Sequence, residues 1–180
     1  SLAGTAAEVE RILGTTPAMI AADIGDWAST QRAIDAGVAP GTHLTGVVNN
    51  AGIIEPIDMV DEADPAAWAQ CVQINLVGAF HVLRAALPHV ATGGVIANIS
   101  SGAAGAEHAG WSAYAASKAG LERLSATLAN ERPDLLVVAI RPGVTATGMQ
   151  DEIKASRVDN AIRQLPIDAM QPPHVPAQAI

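Results

Sequence analysis

Short unbroken apolar runs alternate along this chain with longer stretches in which apolar residues recur every three or four positions. The first rhythm marks strands buried in a sheet, the second helices laid against it. Ala18–Ala22, ending at Asp23, reads as a short strand. Leu44–Val48 is another and runs into Asn49-Asn50-Ala51-Gly52. Gly94–Ser100 and Leu135–Ile140 complete the set, the last cut off by Pro142-Gly143.

Between them lie the helical stretches. Ala7–Leu13 is the end of a helix closed by Gly14. Asp26–Ala36 is broken by Gly37, Pro40 and Gly41. Asp64 caps a long helix with Pro65 at its first position, and its stripe is Trp68, Val72, Ala79, Leu83 and Leu87, interrupted at Asn75. Trp111–Asn130 carries Leu121, Leu124 and Leu128 on one side, and Pro133 follows it. Met149–Leu165 reads as a more polar amphipathic helix, and the end, with Pro166, Pro172, Pro173 and Pro176, as irregular. Apolar strands separated by helices predict an α/β fold. This is a Rossmann-like, doubly wound parallel sheet with helices on both faces. No repeat or linker divides residues 1–180, which read as a single domain.

Composition narrows the functions. Hydrophobic residues make up 49% and charged residues 16%, which excludes a disordered tail. A net charge of −8, with the ten basic residues scattered, argues against a nucleic-acid partner. The one cysteine, Cys71, excludes an internal disulfide and a cysteine-based metal site. His43, His81, His89, His108 and His174 show no metal-ligand spacing, so no metal is expected. No apolar run reaches ~18 residues and no leader pattern precedes the body, so the expectation is a cytoplasmic protein without a membrane partner.

Tyr114 and Lys118 are four residues apart on a helix and so share a face. The plain reading is a tyrosine at a core edge beside a solvated lysine. The chemical reading is an acid–base pair. An ammonium ~4 Å away favours a phenolate by about three pKa units, towards the operating pH of a general acid–base group. Ser101 stands just past the end of a strand, where open parallel sheets bind ligands. It reads as a hydrogen-bond donor to a carbonyl oxygen or as a turn serine, a role Ser100 could equally fill. Asn75, an amide in an apolar stripe, either bonds backbone or belongs to a functional network.

In order, Asp23 after a strand, Asn49-Asn50-Ala51-Gly52, Asn75 in Ile74-Asn75-Leu76-Val77-Gly78, Ser101, Tyr114-Ala115-Ala116-Ser117-Lys118, and Pro142-Gly143 with Thr147 resemble the short-chain dehydrogenase/reductase family. Arg141-Pro142-Gly143 through Gly148-Met149-Gln150 resembles its sepiapterin and benzil reductase branch. The resemblance implies an NAD- or NADP-dependent oxidoreductase that interconverts a small carbonyl compound and its alcohol. It gives Tyr114 the proton transfer, Lys118 the nicotinamide ribose, Ser101 the substrate oxygen, and Asn75 a relay water. Asp23 and Ile24 would contact adenine, and Asn50, Ala51 and Gly52 would line the ribose side. Pro142, Gly143, Thr145 and Thr147 would surround the nicotinamide.

It further implies a homodimer or homotetramer built on the helices of Asn75 and Tyr114. Residues 147–165, which follow the Pro142-Gly143 turn, read as a mobile lid with Met149, Ile153, Val158 and Ile162 as its apolar underside. A glycine-rich phosphate turn does not occur before Asp23, and the family's last strand is not found. The expectation is therefore a partial domain. Residues 1–180 should hold a dinucleotide weakly by themselves, and Ala18–Ala22 should lack a natural neighbour. The rival readings are a non-catalytic scaffold of the same fold and an inactive fragment that serves as a subunit interface.

Overall fold

A computed structural model describes residues 2–178. Three parallel strands form one sheet: β1 (Leu44–Asn49), β2 (Val90–Ile99) and β3 (Leu136–Ile140), in the order β1-β2-β3. Helix α1 (Leu2–Leu13) ends at Gly14, whose φ of 68° suits a residue without a Cβ. Helix α2 (Trp27–Gly37) is capped by the Asp26 carboxylate, which accepts from the backbone N–H of Ser29. The long helix predicted from Asp64 comes in parts. They are α3 (Pro65–Val72), one π turn (Gln73–Gly78) and α4 (Ala79–Ala86). After β2 comes α5 (Ser112–Glu131).

The π turn explains the interrupted stripe. One extra residue in the helical repeat shifts its phase, so Asn75 and Gly78 turn inward alongside Cys71 and Ala79. Helix α5 packs directly on this turn. A Cβ at Gly120 would come within 2.7 Å of a Leu76 methyl, so glycine sets the approach. The connections β1-α3-α4-β2 and β2-α5-β3 are both crossovers between neighbouring parallel strands. A common right-handed sense puts their helices in one layer. Leu83, Val90, Ile96, Leu128 and Leu135 form the core between that layer and the sheet. Val48 and Leu136 are 55% and 58% exposed, so the second face has no helical cover among the described residues.

The expected strand Ala18–Ala22 does not form. Its residues are exposed and lie in no strand, with no bridge to Leu44–Asn49. A strand needs a neighbour for its N–H and C=O groups, and sequence periodicity cannot supply one. The other strands match closely, although β2 begins earlier, at Val90. The single amphipathic helix expected over Met149–Leu165 is broken into α6 (Met149–Ala155) and α7 (Ala161–Gln164), with Ser156 and Asn160 bonding backbone at the break. A last short helix, α8 (His174–Ala177), follows. Pro65–His89 is long and apolar enough, by length and composition, to cross a bilayer. It packs against α5 and α2.

Candidate active site

Strand ends and one helix converge at the carboxyl edge of the sheet. Asn49, the last residue of β1, lies opposite Asn98 of β2. The Asn49 amide donates to Asn98 Oδ1 at 2.8 Å, and the Asn98 amide donates to the Ser125 hydroxyl at 2.8 Å. Ser125 in turn donates to the Leu121 carbonyl at 2.7 Å. All three side chains are buried. Unpaired polar groups there would each cost about 1–3 kcal/mol, so the chain of bonds fixes both strand ends against α5.

A second set of bonds fixes the loop after β1. Asn75 Oδ1 accepts from the backbone N–H of Ile53 at 2.8 Å. Its amide donates to the Ile53 carbonyl at 2.8 Å and to the Ser117 hydroxyl at 3.0 Å. Ser117 donates to the Tyr114 carbonyl at 2.7 Å. The side chain of Asn75 therefore splints the segment carrying Gly52 to the helix carrying Tyr114. A Cβ at Gly52 would meet Asn75 Oδ1 at 3.1 Å and Lys118 Nζ at 3.3 Å, which is why that loop passes so close. Neither Ser117 nor Asn98 stood out in the sequence, because a serine or asparagine inside an element has no signature until its partners are known.

A cavity of about 250 Å³ opens beside these elements. Of the expected residues, Ser101, Tyr114, Lys118, Asn50, Gly52, Pro142, Gly143, Thr145 and Thr147 line it. Asn75 lies behind the wall at Gly52. Ala51 is exposed outside it, and Asp23 and Ile24 stand apart from it. The loop of Asp23 and Ile24 is pinned to the π turn and α4: Gln73 donates to the Gly25 carbonyl at 2.7 Å, and His81 Nδ1 meets the Ile24 carbonyl at 2.9 Å. The Asp23 carboxylate accepts from the N–H of Gly25 at 2.9 Å.

The two serines are now distinct. Ser100 is buried and donates to Glu122 at 2.7 Å, and Glu122 pairs with Arg141 at 2.6 Å. Ser101 starts the turn after β2, accepting from the N–H of Ala103 at 3.2 Å, and stands beside Tyr114. The Glu122–Arg141 pair thus ties the end of β2 to the start of the Pro142-Gly143 turn. At Gly143, a φ of 80° is the left-handed backbone that glycine adopts without strain.

Tyr114 and Lys118 are 7% and 4% exposed. Burial pushes the Tyr114 phenol above its usual value, with the Ser101 hydroxyl opposing it. Burial pushes the Lys118 ammonium down to about 8. Lys118 Nζ donates to the Ile99 carbonyl at 2.8 Å and lies 5.7 Å from the Tyr114 ring centroid. The ammonium gives one bond to a carbonyl, and desolvation of the phenol outweighs the lowering expected from the Tyr114–Lys118 spacing. A protonated phenol is the form that gives a proton away.

The far wall combines the segment expected over residues 147–165 with aromatic residues for which the sequence suggested no role at the site. The Trp111 ring meets His108 tilted by 56° at 4.7 Å and Tyr114 edge-on at 5.9 Å. Met149, Gln150, Ile153 and Ile162 line the cavity from the segment after β3. Met149, Ile153, Val158 and Ile162 all pack against the cluster of Ile54, Trp111 and Tyr114. Gln171 fixes the base of this cover, bonding the backbone of Val144 and Ala146 at 2.9 Å each.

Comparison with known proteins agrees with this geometry. A protein-family model described as short chain dehydrogenase matches residues 1–158. An uncharacterized oxidoreductase of Schizosaccharomyces pombe is 36% identical over 149 residues, covering 82% of this chain and 60% of that protein. A benzil reductase ((S)-benzoin forming) of Saccharomyces cerevisiae is 33% identical over 120 residues, covering 62% and 46%. Among solved structures, a short chain dehydrogenase from Shigella flexneri complexed with NADP superposes with a TM-score of 0.84 at 27% identity, covering 96% of this chain and 71% of the other. The chain spans about half the length of the curated relatives it matches.

Proposed function

This chain belongs to the short-chain dehydrogenase family, and we propose that it carries the catalytic centre of an NAD- or NADP-dependent enzyme interconverting a ketone and a secondary alcohol. The observation that carries this reading is the convergence of Tyr114, Lys118 and Ser101 on one cavity, with Asn75 splinting the floor beneath them. The relative that reduces benzil and the neighbour complexed with NADP support it.

The donors present fit the nicotinamide half of such a cofactor. Two of the three Lys118 protons remain available after the bond to Ile99. Asn50, Thr145 and Thr147 add polar groups, and the Pro142-Gly143 turn offers a flat backbone surface. When bound, the cofactor supplies or accepts the hydride. The chain's own part is the proton. In reduction, Ser101 donates a hydrogen bond to the carbonyl oxygen. The buried phenol of Tyr114 transfers its proton to that oxygen as negative charge develops on it. Lys118 then holds positive charge close to the phenolate left behind. Asp23 and Ile24 serve adenine, Ala51 and Gly52 the ribose side, and Asn75 acts by holding the loop and the helix together.

The cover over residues 147–165 acts as a lid that admits substrate by loosening its apolar contacts. Ala116, Ala119 and Phe80 are exposed on the outer faces of α5 and α4 and support a homodimer or homotetramer. A strictly monomeric enzyme at micromolar concentration would disprove that assembly. For the chemistry, the test is oxidation of NADH or NADPH by a panel of ketones, with Tyr114→Phe as the control. Turnover that depends on Tyr114 is expected. Full turnover in the variant, or none with any ketone in the intact parent enzyme, sinks the reading.

A further inference from the structure

Helix α5 presents one row of polar side chains to the ends of the sheet. Tyr114, Lys118 and Glu122 follow one another at four-residue steps, so they share a face. The first stands beside Ser101, the second bonds the Ile99 carbonyl, and the third meets Ser100 and Arg141. The chemistry proposed above uses the first two and leaves Glu122 without a part.

Glu122 sits where two strands separate. The backbone N–H of Ser100 donates to the Ile140 carbonyl at 2.7 Å, and that bond ends the ladder of β2 and β3 among the described residues. Beyond it, one chain turns into Ser101 and the short 3-10 turn Gly102–Gly105, and the other into Arg141 and Pro142-Gly143. The carboxylate bridges this fork. Its Oε1 accepts from Ser100 Oγ at 2.7 Å and from Arg141 Nε at 2.6 Å, and its Oε2 accepts from Arg141 Nη2 at 2.7 Å. Two parallel N–H···O bonds fix the plane of the guanidinium as well as its distance. The same guanidinium lies against the turn that Ser101 begins: a Cβ on Gly105 would stand 3.4 Å from Arg141 Nη1 and Nη2. Bonds from Arg141 and, more weakly, Ser100 hold the Glu122 carboxyl below its usual range, against the penalty of burial.

The pair reaches solvent, with side chains 49% and 26% exposed, and exposed ion pairs add little to stability. Its geometry matters more than its energy. In the reaction proposed above, Ser101 holds the substrate oxygen and the Pro142-Gly143 turn lies at the nicotinamide. A hydride passes only when those two stand at the right separation, and a misplacement of ~1 Å can cost about 100-fold in rate.

We propose that Glu122 is a positioning residue: by clamping Ser100 and Arg141 with one carboxylate, it sets the turn at Ser101 against the Pro142-Gly143 turn. The roles of the two turns rest on the function proposed above; the clamp rests on the three bonds to Glu122.

The test uses the intact parent enzyme and two readouts: turnover of a ketone with NADH or NADPH, and native-state hydrogen exchange of the cofactor-free protein. Glu122→Ala should lower kcat and kcat/KM equally, by about 10- to 100-fold. The amides of Ala103 and Ala104, both bonded to Ser101, and of Ala146 should exchange faster, while those of Ile96 and Ala97 in β2 keep their protection. Glu122→Gln keeps an oxygen for Ser100 and Arg141 Nε and should restore most of the turnover. The double variant Glu122→Ala with Arg141→Ala should be no slower than the slower single variant, because the two residues act as one clamp. A merely structural role would lower the urea midpoint and leave kcat of the folded enzyme unchanged. Unchanged kcat in Glu122→Ala overturns the proposal, as do additive losses in the double variant or a loss of kcat with unchanged exchange in both turns. Turnover that needs Tyr114 but not Glu122 removes the clamp and leaves the oxidoreductase reading standing. Faster exchange of both turns in an enzyme that reduces no ketone does the reverse.

Discussion

Below the cavity, Asn49, Asn98 and Ser125 pass hydrogen bonds from strand to strand to helix, and Asn75 does the same from loop to helix. Above it, the segment from Pro142 to Met170 is held mainly by apolar contacts of Met149, Ile153, Val158 and Ile162. A few bonds to backbone help, such as Lys154 Nζ to the Leu165 carbonyl at 2.7 Å and Asn160 to the Ala109 carbonyl at 3.3 Å. The frame pairs these amides and hydroxyls, while in the cover the side-chain oxygen of Gln150 has no partner among the described residues. Directional bonds hold reacting groups in one geometry. Non-directional apolar packing can slide and re-form around a ligand. A site divided this way keeps its proton chemistry fixed while its substrate wall moves.

The sharpest way to break the comparison is at the chemistry the frame holds. Tyr114→Phe should lower kcat by about 10²–10⁴-fold, or about 3–5 kcal/mol, with little change in stability. A variant unfolding at much lower denaturant would show that the phenol is a structural group instead.

Next comes the frame itself. Asn98→Ala strips partners from both Asn49 and Ser125 and should cost about 2–4 kcal/mol in denaturant unfolding. A loss under 1 kcal/mol would mean that water replaces those bonds freely and that the frame is no stiffer than the cover.

Lys118 gives a test with a sign. Its ammonium falls from an ordinary 10.5 to about 8 through burial. Below pH 8 folded and unfolded chains both carry the proton, and the full cost of burying it, about 3 kcal/mol, stands. Between about 8 and 10.5 the unfolded chain binds the extra proton, so this group's contribution to stability rises with pH. Above 10.5 the cost is gone. Lys118→Met loses the bond to Ile99, worth about 1 kcal/mol, and should still be about 2 kcal/mol more stable than wild type at pH 7. The gap should close as pH rises through 8 to 10.5, and a gap independent of pH would exclude a buried charge.

The smallest effect belongs to the cover. Met149→Ala should cost about 1 kcal/mol of stability or less and raise KM several-fold with kcat nearly kept, because an unbranched apolar contact is easily replaced. In native-state hydrogen exchange, amides of 149–165 should open well before those of β2. Equal protection would contradict a lid.

The sequence by itself determined the order of strands and helices, because unbroken apolar runs and three-and-four spacing follow from backbone geometry alone. It also placed Tyr114 and Lys118 on one face, since four residues make just over one helical turn. It marked Asn75 as an anomaly, a polar residue where the stripe required an apolar one. Only the tertiary structure decided what these residues meet. The π turn that carries Asn75 inward depends on its bonds to Ile53 and Ser117, far apart in the chain. Ser100 and Ser101 are equivalent as letters and differ only because Glu122 faces one and Tyr114 stands beside the other. Ala18–Ala22 has the pattern of a strand and is none, because a strand exists only beside another. The phenol is raised rather than lowered because burial, which the spacing of Tyr114 and Lys118 does not reveal, outweighs the bond from Ser101. Periodicity is a local property that a sequence carries openly; partners, desolvation and unmatched polar atoms are sums over the folded chain.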